Sequence, residues 1–455
     1  MKRIIEKELI NWLNSESRKP LIFRGARQVG KTWAVRKLAQ LTGRKLIEFN
    51  FEKQRSLREL FAINDPTKII QQIESYLNER IDIQNTLLFL DEIQAAPELI
   101  AKLRWFYEDM PQLPVVAAGS LLEFALSNYP YSMPVGRVSY LNLEPLSFDE
   151  FLLARDRKLL HDHLKEITFK EKPSSVVHHL AMELFREYIL VGGLPEVVKT
   201  WCQSESFVEV SRIQRELIAA YQDDFSKYGE SVNVELLEKV LRAVPRQLGN
   251  TFMYSKVSRE TSSTPIKKSL TLLCCSKLCR KVYATSANGI PLGAEKNDRI
   301  FKLYLLDTGL VSAMLDLRLQ HFANIEEIDL YNKGAIAEQV VSQLLACNNQ
   351  DILHTEQYFW QRSRKGATAE IDYILQYASR IIPIEVKAGA EGKLKSLHVF
   401  MAEKKYPLAI RIYSGELKLD TVKVKTPSGQ PVRYQLLSIP FYLLSQLERL
   451  INLQS

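Results

Sequence analysis

The segment GARQVGKT, Gly25 to Thr32, constrains what this chain can fold into more than any other. It fits the pattern GxxxxGK[ST] in the setting where that pattern has a physical meaning: a short apolar run, Leu21–Phe23, precedes it and a helical pattern, Lys31–Leu41, follows. Small residues at the glycine positions let backbone N–H groups approach an anion, and a helix that starts at the anion adds the positive end of its dipole. Gly25, Ala26, Arg27, Gln28, Val29, Gly30, Lys31 and Thr32 are therefore expected to cradle the phosphates of ATP. Lys31 should reach the β and γ phosphates, and the Thr32 hydroxyl should hold Mg²⁺.

Further apolar runs at Lys45–Phe51, Leu87–Leu90, Pro114–Ala118 and Val138–Leu143 alternate with helical stretches. Strands alternating with helices imply an α/β unit with a parallel sheet. One of these runs, LLFLDE, ends in Asp91 and Glu92. Beside a phosphate loop, Asp91 is expected to bind Mg²⁺ through water and Glu92 to polarise the attacking water. The run VVAAGS ends in Ser120, placed to touch the γ-phosphate or that water. Arg137, in VGRV, is expected to reach the γ-phosphate of a neighbouring subunit, a role that contributes roughly 10³–10⁵ in rate where it occurs. Each has a plainer alternative: a strand-end acid pair, a turn serine, a surface arginine.

Composition closes off other classes. The 455 residues contain no run near the ~20 continuous apolar residues that span a bilayer. The N-terminal MKRIIEKELINWL carries charges inside its apolar pattern, unlike a signal peptide. The five cysteines form no CxxC pair and the histidines no HExxH, which argues against disulfides or structural zinc. A cytoplasmic protein without a membrane partner is the expectation.

The net charge of +8 is unevenly placed: Val240 to Tyr304 carries 12 Lys/Arg against 3 acids, a net of +9, so the remaining residues sum to −1. A concentrated basic stretch points to a polyanion, with DNA as the expected partner. Within it, Ser262–Thr264 and Pro265 read as a helix start, Leu270, Leu273 and Leu278 as an apolar face, and Lys267, Lys268 and Lys277 as a polar one. Strands at Lys281–Thr285 and Ile300–Leu305 would form a wing, and the whole resembles a winged helix. The alternative is a module for protein contacts with solvated lysines.

The last constellation is AEIDYILQYASRIIPIEVKAG, Ala369–Gly389. Asp372 starts one strand; Glu385 and Lys387 flank Val386 on the next and must share a face. An acid followed by ExK resembles the PD-(D/E)XK nuclease signature, and Glu338 in the helix GAIAEQVV fits that fold's helical acid. On that reading Glu338, Asp372 and Glu385 hold a second Mg²⁺ or Mn²⁺ while Lys387 orients and helps deprotonate water. Glu370, Arg362, Arg364 and Lys365 lie nearby and are candidates for phosphate contact. An ordinary edge strand with solvated charges remains the alternative.

Taken together, the phosphate loop, the LDE strand, the GS strand end, the following GR…LEPLSFDEF segment and GGLPEVV (Gly192–Val198) resemble a prokaryotic AAA-type ATPase. That resemblance implies a P-loop NTPase sheet with a helical lid, fused to a C-terminal domain of unknown function with a restriction-endonuclease-like core. Arg186 is the available candidate for a lid arginine. The expected organisation is an ATPase domain (1–150), a lid (151–230), a winged helix (231–320) and a nuclease-like α/β domain (321–455). The expected function is ATP hydrolysis coupled to DNA in a homo-oligomer, with a ring as one arrangement. Two alternatives stay open: an ATP-gated scaffold with an inert nuclease-like fold, and an ATP-regulated endonuclease.

Overall fold

The computed structural model describes the chain except residues 121, 123–133, 229–231, 316–332, 349–355, 363–368, 390–391 and 455. It divides into two compact units, one built on Met1–Glu144, the other on Pro145–Cys274, Cys279–Asn348 and Thr355–Ser455.

The first unit holds a five-stranded sheet of β1 (Leu21–Arg24), β2 (Lys45–Asn50), β3 (Thr86–Asp91), β4 (Val115–Ala118) and β5 (Ser139–Asn142), in the order β2-β3-β4-β1-β5. Every neighbouring pair is parallel. All six residues of β3 are buried, as the unbroken apolar run LLFL requires of a strand covered on both faces. Ile69 and Ile73 of helix Pro66–Leu77 and Leu99, Leu103 and Phe106 of helix Glu98–Asp109 join Leu88, Leu90 and Ala117 in one core. Asp65 caps the first of these helices by accepting from the Thr67 and Lys68 N–H groups, with Pro66 at the first helical position. Because the strands are parallel, the ends of β1, β3 and β4 emerge on one edge, which places the phosphate loop, Asp91 and Ser120 together.

The second unit begins with helices Phe148–Ala154, Lys158–Glu166, Ser175–Val191, Pro195–Ser204 and Phe207–Asp223. The first opens with a reciprocal cap, Ser147 accepting from the Glu150 N–H and Glu150 accepting from the Ser147 N–H. Helices Val234–Ala243 and Ser263–Cys275 follow. Then come β6 (Cys279–Thr285), β7 (Lys296–Leu305), helix Thr308–Met314, helix Lys333–Asn348, β8 (Gln357–Gln361), β9 (Glu370–Tyr377), β10 (Arg380–Lys387), helix Lys395–Lys404, β11 (Leu408–Tyr413), β12 (Lys418–Lys425) and β13 (Pro431–Pro440).

Here the structure departs from the expected division. β6 and β7 do pair antiparallel, but β6 also pairs in parallel with β8. The hairpin is thus the end of a single eight-stranded sheet, β12-β13-β11-β10-β9-β8-β6-β7. The boundary expected near 320 falls inside this sheet, and the strands expected as a wing are not free-standing. Strand β6 has hydrogen-bonding edges on both sides, and a parallel partner on the second edge satisfies groups that a wing would leave to water.

Candidate nucleotide site and a buried acid cluster

The phosphate loop has the backbone that its glycines allow. Gly25 adopts φ 146°, and a Cβ there would lie 2.4 Å from the Leu143 carbonyl oxygen. Gly30 adopts φ 100° as the helix Lys31–Thr42 begins. Gln28 is also left-handed, at φ 65°, a conformation that its residue type does not announce. The buried Lys31 ammonium donates to the carbonyl oxygens of Gly25 (3.0 Å) and Ala26 (2.8 Å). Burial pushes its pKa down to about 8, against the pull of Glu92 and Asp91.

Beneath the loop lies a contact that motif reading missed. Arg3, buried, donates to the Val29 carbonyl (2.9 Å) and to the Glu144 carbonyl (2.7 Å). A trans peptide points its C=O and the next N–H in opposite directions. Holding the Val29 carbonyl therefore fixes the direction of the Gly30 N–H.

The Thr32 hydroxyl donates to Asp91 Oδ2 at 3.2 Å, and Asn50 donates to the same oxygen at 3.3 Å. Burial, with Glu92 adding to it, raises the Asp91 pKa. A hydroxyl beside a destabilised carboxylate suits a hard cation such as Mg²⁺, so these residues fit the ion expected of them. Glu92 sits at φ 51° and accepts from Gln94 at 2.6 Å. Gly119 leaves room for that glutamine, since a Cβ there would lie 2.2 Å from Gln94 Oε1. Ser120 is buried just past the end of β4. Arg137 does not join this group within the chain: its Nε donates to Glu108 at 2.9 Å, and Glu108 also accepts from Arg104.

The GGLP segment is a buried joint within the second unit. Gly192 (φ 80°) has no room for a side chain, because a Cβ would meet Asp307 Oδ1 at 2.0 Å. The Gly193 N–H donates to Asp307 Oδ2 at 2.6 Å, and its carbonyl accepts from the Leu146 N–H at 2.6 Å. Asp307 also caps helix Thr308–Met314 and accepts from Gln343, which donates in turn to the Tyr188 hydroxyl. Burial pushes Asp307 up to about 6 against these hydrogen bonds. Arg186 is exposed on helix Ser175–Val191.

The C-terminal acids converge, and they do so around a lysine that the charge count places in the basic stretch. Lys302 on β7 is completely buried. Its ammonium lies 2.6 Å from Glu370, 2.9 Å from Glu338 and 3.8 Å from Asp372. Burial alone would lower its pKa, yet Glu338, Asp372 and Glu370 hold it raised. The Tyr304 hydroxyl donates to Glu338 at 2.7 Å, the Val386 N–H to Asp372 at 2.8 Å, and Lys387 to Glu385 at 2.6 Å, so Glu385 and Lys387 do share a face. Burial and the Asp372 charge push Glu385 up to about 8 and Glu338 up to about 7. Among the described residues no group of three or more His, Cys, Asp or Glu is arranged to hold a metal ion. The residue types match the nuclease signature, and the geometry does not fit its metal. Arg362 pairs with Glu403, while Arg364 and Lys365 lie outside the described residues.

The basic stretch is only partly a surface. Lys302 is engaged by acids, Lys296 pairs with Glu356 and Asp298, and Arg242 with Glu238. Lys256, Arg259, Lys267 and Lys268 are exposed beside or within the first turns of helix Ser263–Cys275, whose Ile266, Leu270 and Leu273 are buried.

The order β2-β3-β4-β1-β5 with a glycine loop after β1 and an acid at the end of β3 defines a P-loop nucleotide-binding domain. More narrowly, residues 17–152 match the AAA domain family. Residues 182–321 match a domain of unknown function, DUF8612, and residues 333–428 another, DUF4143. No curated protein matches the chain. Among solved structures, the chain is similar to the Walker-type ATPase PABY2304 of Pyrococcus abyssi (16% identity, 69% of this chain and 95% of that one, TM-score 0.43). It is also similar to the Aeropyrum pernix ORC2 protein in ADPNP–ADP complexes (11%, 70% and 95%, TM-score 0.32). A third likeness is to the Thermotoga maritima RuvB Holliday junction branch migration motor (14%, 61% and 88%, TM-score 0.28). No helix among the described residues is long and apolar enough to cross a membrane.

Proposed function

We propose that this protein is a Mg²⁺-dependent ATP-hydrolysing switch whose second unit binds nucleic acid. The observation that carries the reading is the meeting of Lys31, Thr32, Asp91 and Glu92 at one edge of the parallel sheet. The backbone N–H groups of Gly25–Thr32 bind the phosphates, and Lys31 leaves the Gly25 and Ala26 carbonyls for the β and γ phosphates. Thr32 and Asp91 hold Mg²⁺, which when bound offsets phosphate charge. Glu92 takes a proton from the attacking water once Gln94 no longer occupies it. Ser120, buried just past β4, is assigned the positioning of that water. Arg137 serves a neighbouring copy after exchanging Glu108 for a phosphate, which makes self-association part of the proposal.

The nucleic-acid half rests on Lys256, Arg259, Lys267 and Lys268 clustered about one helix N-terminus. A binding role without cleavage is favoured over an endonuclease by the position of Lys302. The test is ATP turnover by the purified full chain with Mg²⁺, compared with Glu92→Gln. Binding kept and turnover lost in the variant supports the reading; equal turnover refutes it. For the nucleic acid, an affinity for duplex DNA that is unchanged when Lys267 and Lys268 become Ala removes that half.

A further inference from the structure

The cluster of Glu338, Glu370, Asp372 and Glu385 looks in sequence like a place for a divalent cation. We infer that the ammonium of Lys302 is the resident cation of this cluster, and that it excludes a divalent ion from the C-terminal acids. The inference bears on the second unit alone and stands apart from the nucleotide reading.

Three observations carry it. The first is position. A divalent ion bound by carboxylates sits roughly 2.0–2.6 Å from their oxygens. Lys302 Nζ already lies 2.6 Å from Glu370 Oε1 and 2.9 Å from Glu338 Oε2, with Asp372 Oδ1 at 3.8 Å. An ion shared by Glu338 and Asp372 would have to sit within a few ångströms of that ammonium, and the two cations would repel. The second is confinement. Lys302 has no exposed surface, and it is held in register between Val282 of β6 and an isolated bridge to Thr251. Its ammonium lies 5.3 Å from the Phe359 ring centre. The side chain cannot swing to solvent without opening the sheet's own packing.

The third observation is that three of these acids are each tied by a further donor. Glu338 Oε2 also accepts from Tyr304, Asp372 Oδ2 from the Val386 N–H, and Glu385 Oε1 from Lys387. Glu385 Oε2 is buried without a hydrogen-bond partner. The lysine thus does in one covalently attached piece part of what a metal does elsewhere: it offsets the charge of converging acids, here fastening β7 to β9 and to helix Lys333–Asn348. A phosphodiester backbone reaching this face would meet no metal to polarise it, so it would not be cut there.

Mn²⁺ is the probe, read by electron paramagnetic resonance on the full chain without nucleotide. Asp372→Asn separates any C-terminal site from the phosphate loop. The wild type is expected to show no Asp372-dependent Mn²⁺ site up to about 1 mM, the weak end of biological divalent-ion affinity. Lys302→Met is expected to gain one such site, lost again in Lys302→Met/Asp372→Asn. A wild-type Mn²⁺ site abolished by Asp372→Asn or Glu385→Gln overturns the inference. So does a Lys302→Met protein with native circular dichroism that gains no site. If Lys302→Met does not fold, the wild type against Asp372→Asn decides the question alone.

Discussion

Replacing Asp307 by Asn tests whether the GGLP joint is held by a carboxylate's capacity to accept on two sides. Asp307 Oδ1 accepts from the Gly309 N–H (2.9 Å) and the Leu310 N–H (3.3 Å); Oδ2 accepts from the Gly193 N–H (2.6 Å) and from Gln343 (3.0 Å). Asparagine has one oxygen, which can keep the helix cap. Its NH₂ then faces two donors, and Gln343 cannot turn round without losing its bond from the Thr308 N–H. Two buried donors left unpaired cost about 1–3 kcal/mol each, so a local loss of about 2–4 kcal/mol is reasonable after relaxation. That corresponds to roughly 30- to 1,000-fold less amide protection. The assay is hydrogen exchange by mass spectrometry on peptides covering 186–196 and 304–314, because a chain of two units has no single unfolding free energy. A second signature comes from pH. Asp307 titrates at about 6 in the folded chain, above the ordinary 3.8. A raised carboxyl contributes stability that is fully present below its unfolded pKa and lost as pH rises through the folded one. Wild type gains this stability on acidification and Asp307→Asn does not, so the deficit should widen by up to about 1.4 kcal/mol per pH unit between pH 6 and 4. Unchanged protection at both peptides, or a deficit that narrows on acidification, refutes the reasoning.

Other outcomes follow from the same geometry. Lys31 titrates at about 8 without nucleotide, and phosphate must raise it, so ATP binding above pH 8 should take up a proton and weaken as pH rises; calorimetry in buffers of different ionisation enthalpy checks this. Arg3→Ala should raise the KM for ATP more than it lowers kcat, with partial rescue in Arg3→Lys, because it releases the Val29 carbonyl and touches no reacting atom; steady-state kinetics reads the split. Gln94→Ala should leave ATP affinity within about twofold and change kcat, since its amide holds Glu92 and reaches no other part of the cradle, and an uncharged hydrogen bond to a charged group contributes about 1.5–3 kcal/mol. DNA affinity should fall with salt at a log–log slope of about −3.6, about −0.9 for each of the four cations about the start of helix Ser263–Cys275, not the steeper slope that twelve would give; a titration over salt concentration decides.

The first unit was legible because its signals are local. A strand that ends in glycine, a lysine one residue past the next glycine, and an apolar run that ends in two acids each declare a place on the same sheet edge, and the five expected strands lie within a residue or two of the observed ones. What stayed hidden there acts across distance in the chain. Arg3 is 26 residues from the carbonyl it holds, and nothing in KRIIEKEL marks one basic residue as internal. The Glu92–Gln94 contact is short in sequence, yet it depends on Gly119 leaving space from another strand. The GGLPEVV segment was legible only as part of a family resemblance, and its partner stayed hidden: Asp307 is 114 residues away from Gly193.

The second unit shows why counting charges along a chain misplaces them. The stretch Val240–Tyr304 sums to +9, which read as one basic surface. Lys302 belongs to that sum, but its partners Glu338, Glu370 and Asp372 lie 36 or more residues further on, in segments counted separately as an acidic site. The excess of base in one segment and of acid in another is partly the same feature seen twice. β7 and β9 belong to one sheet, and a buried ammonium there is tolerable only where carboxylates meet it. The alternation of β7 carries the clue that linear counting discards: Lys302 stands in the apolar context IFKLYLL, where an unpaired lysine would be expelled. A lysine inside a strand buried on both faces requires acids elsewhere in the chain. The acids of IDYILQ and AIAEQVV stand in comparably apolar contexts and require a cation. Each side of the pair is legible as an unmet demand, and only the fold shows that the demands meet each other.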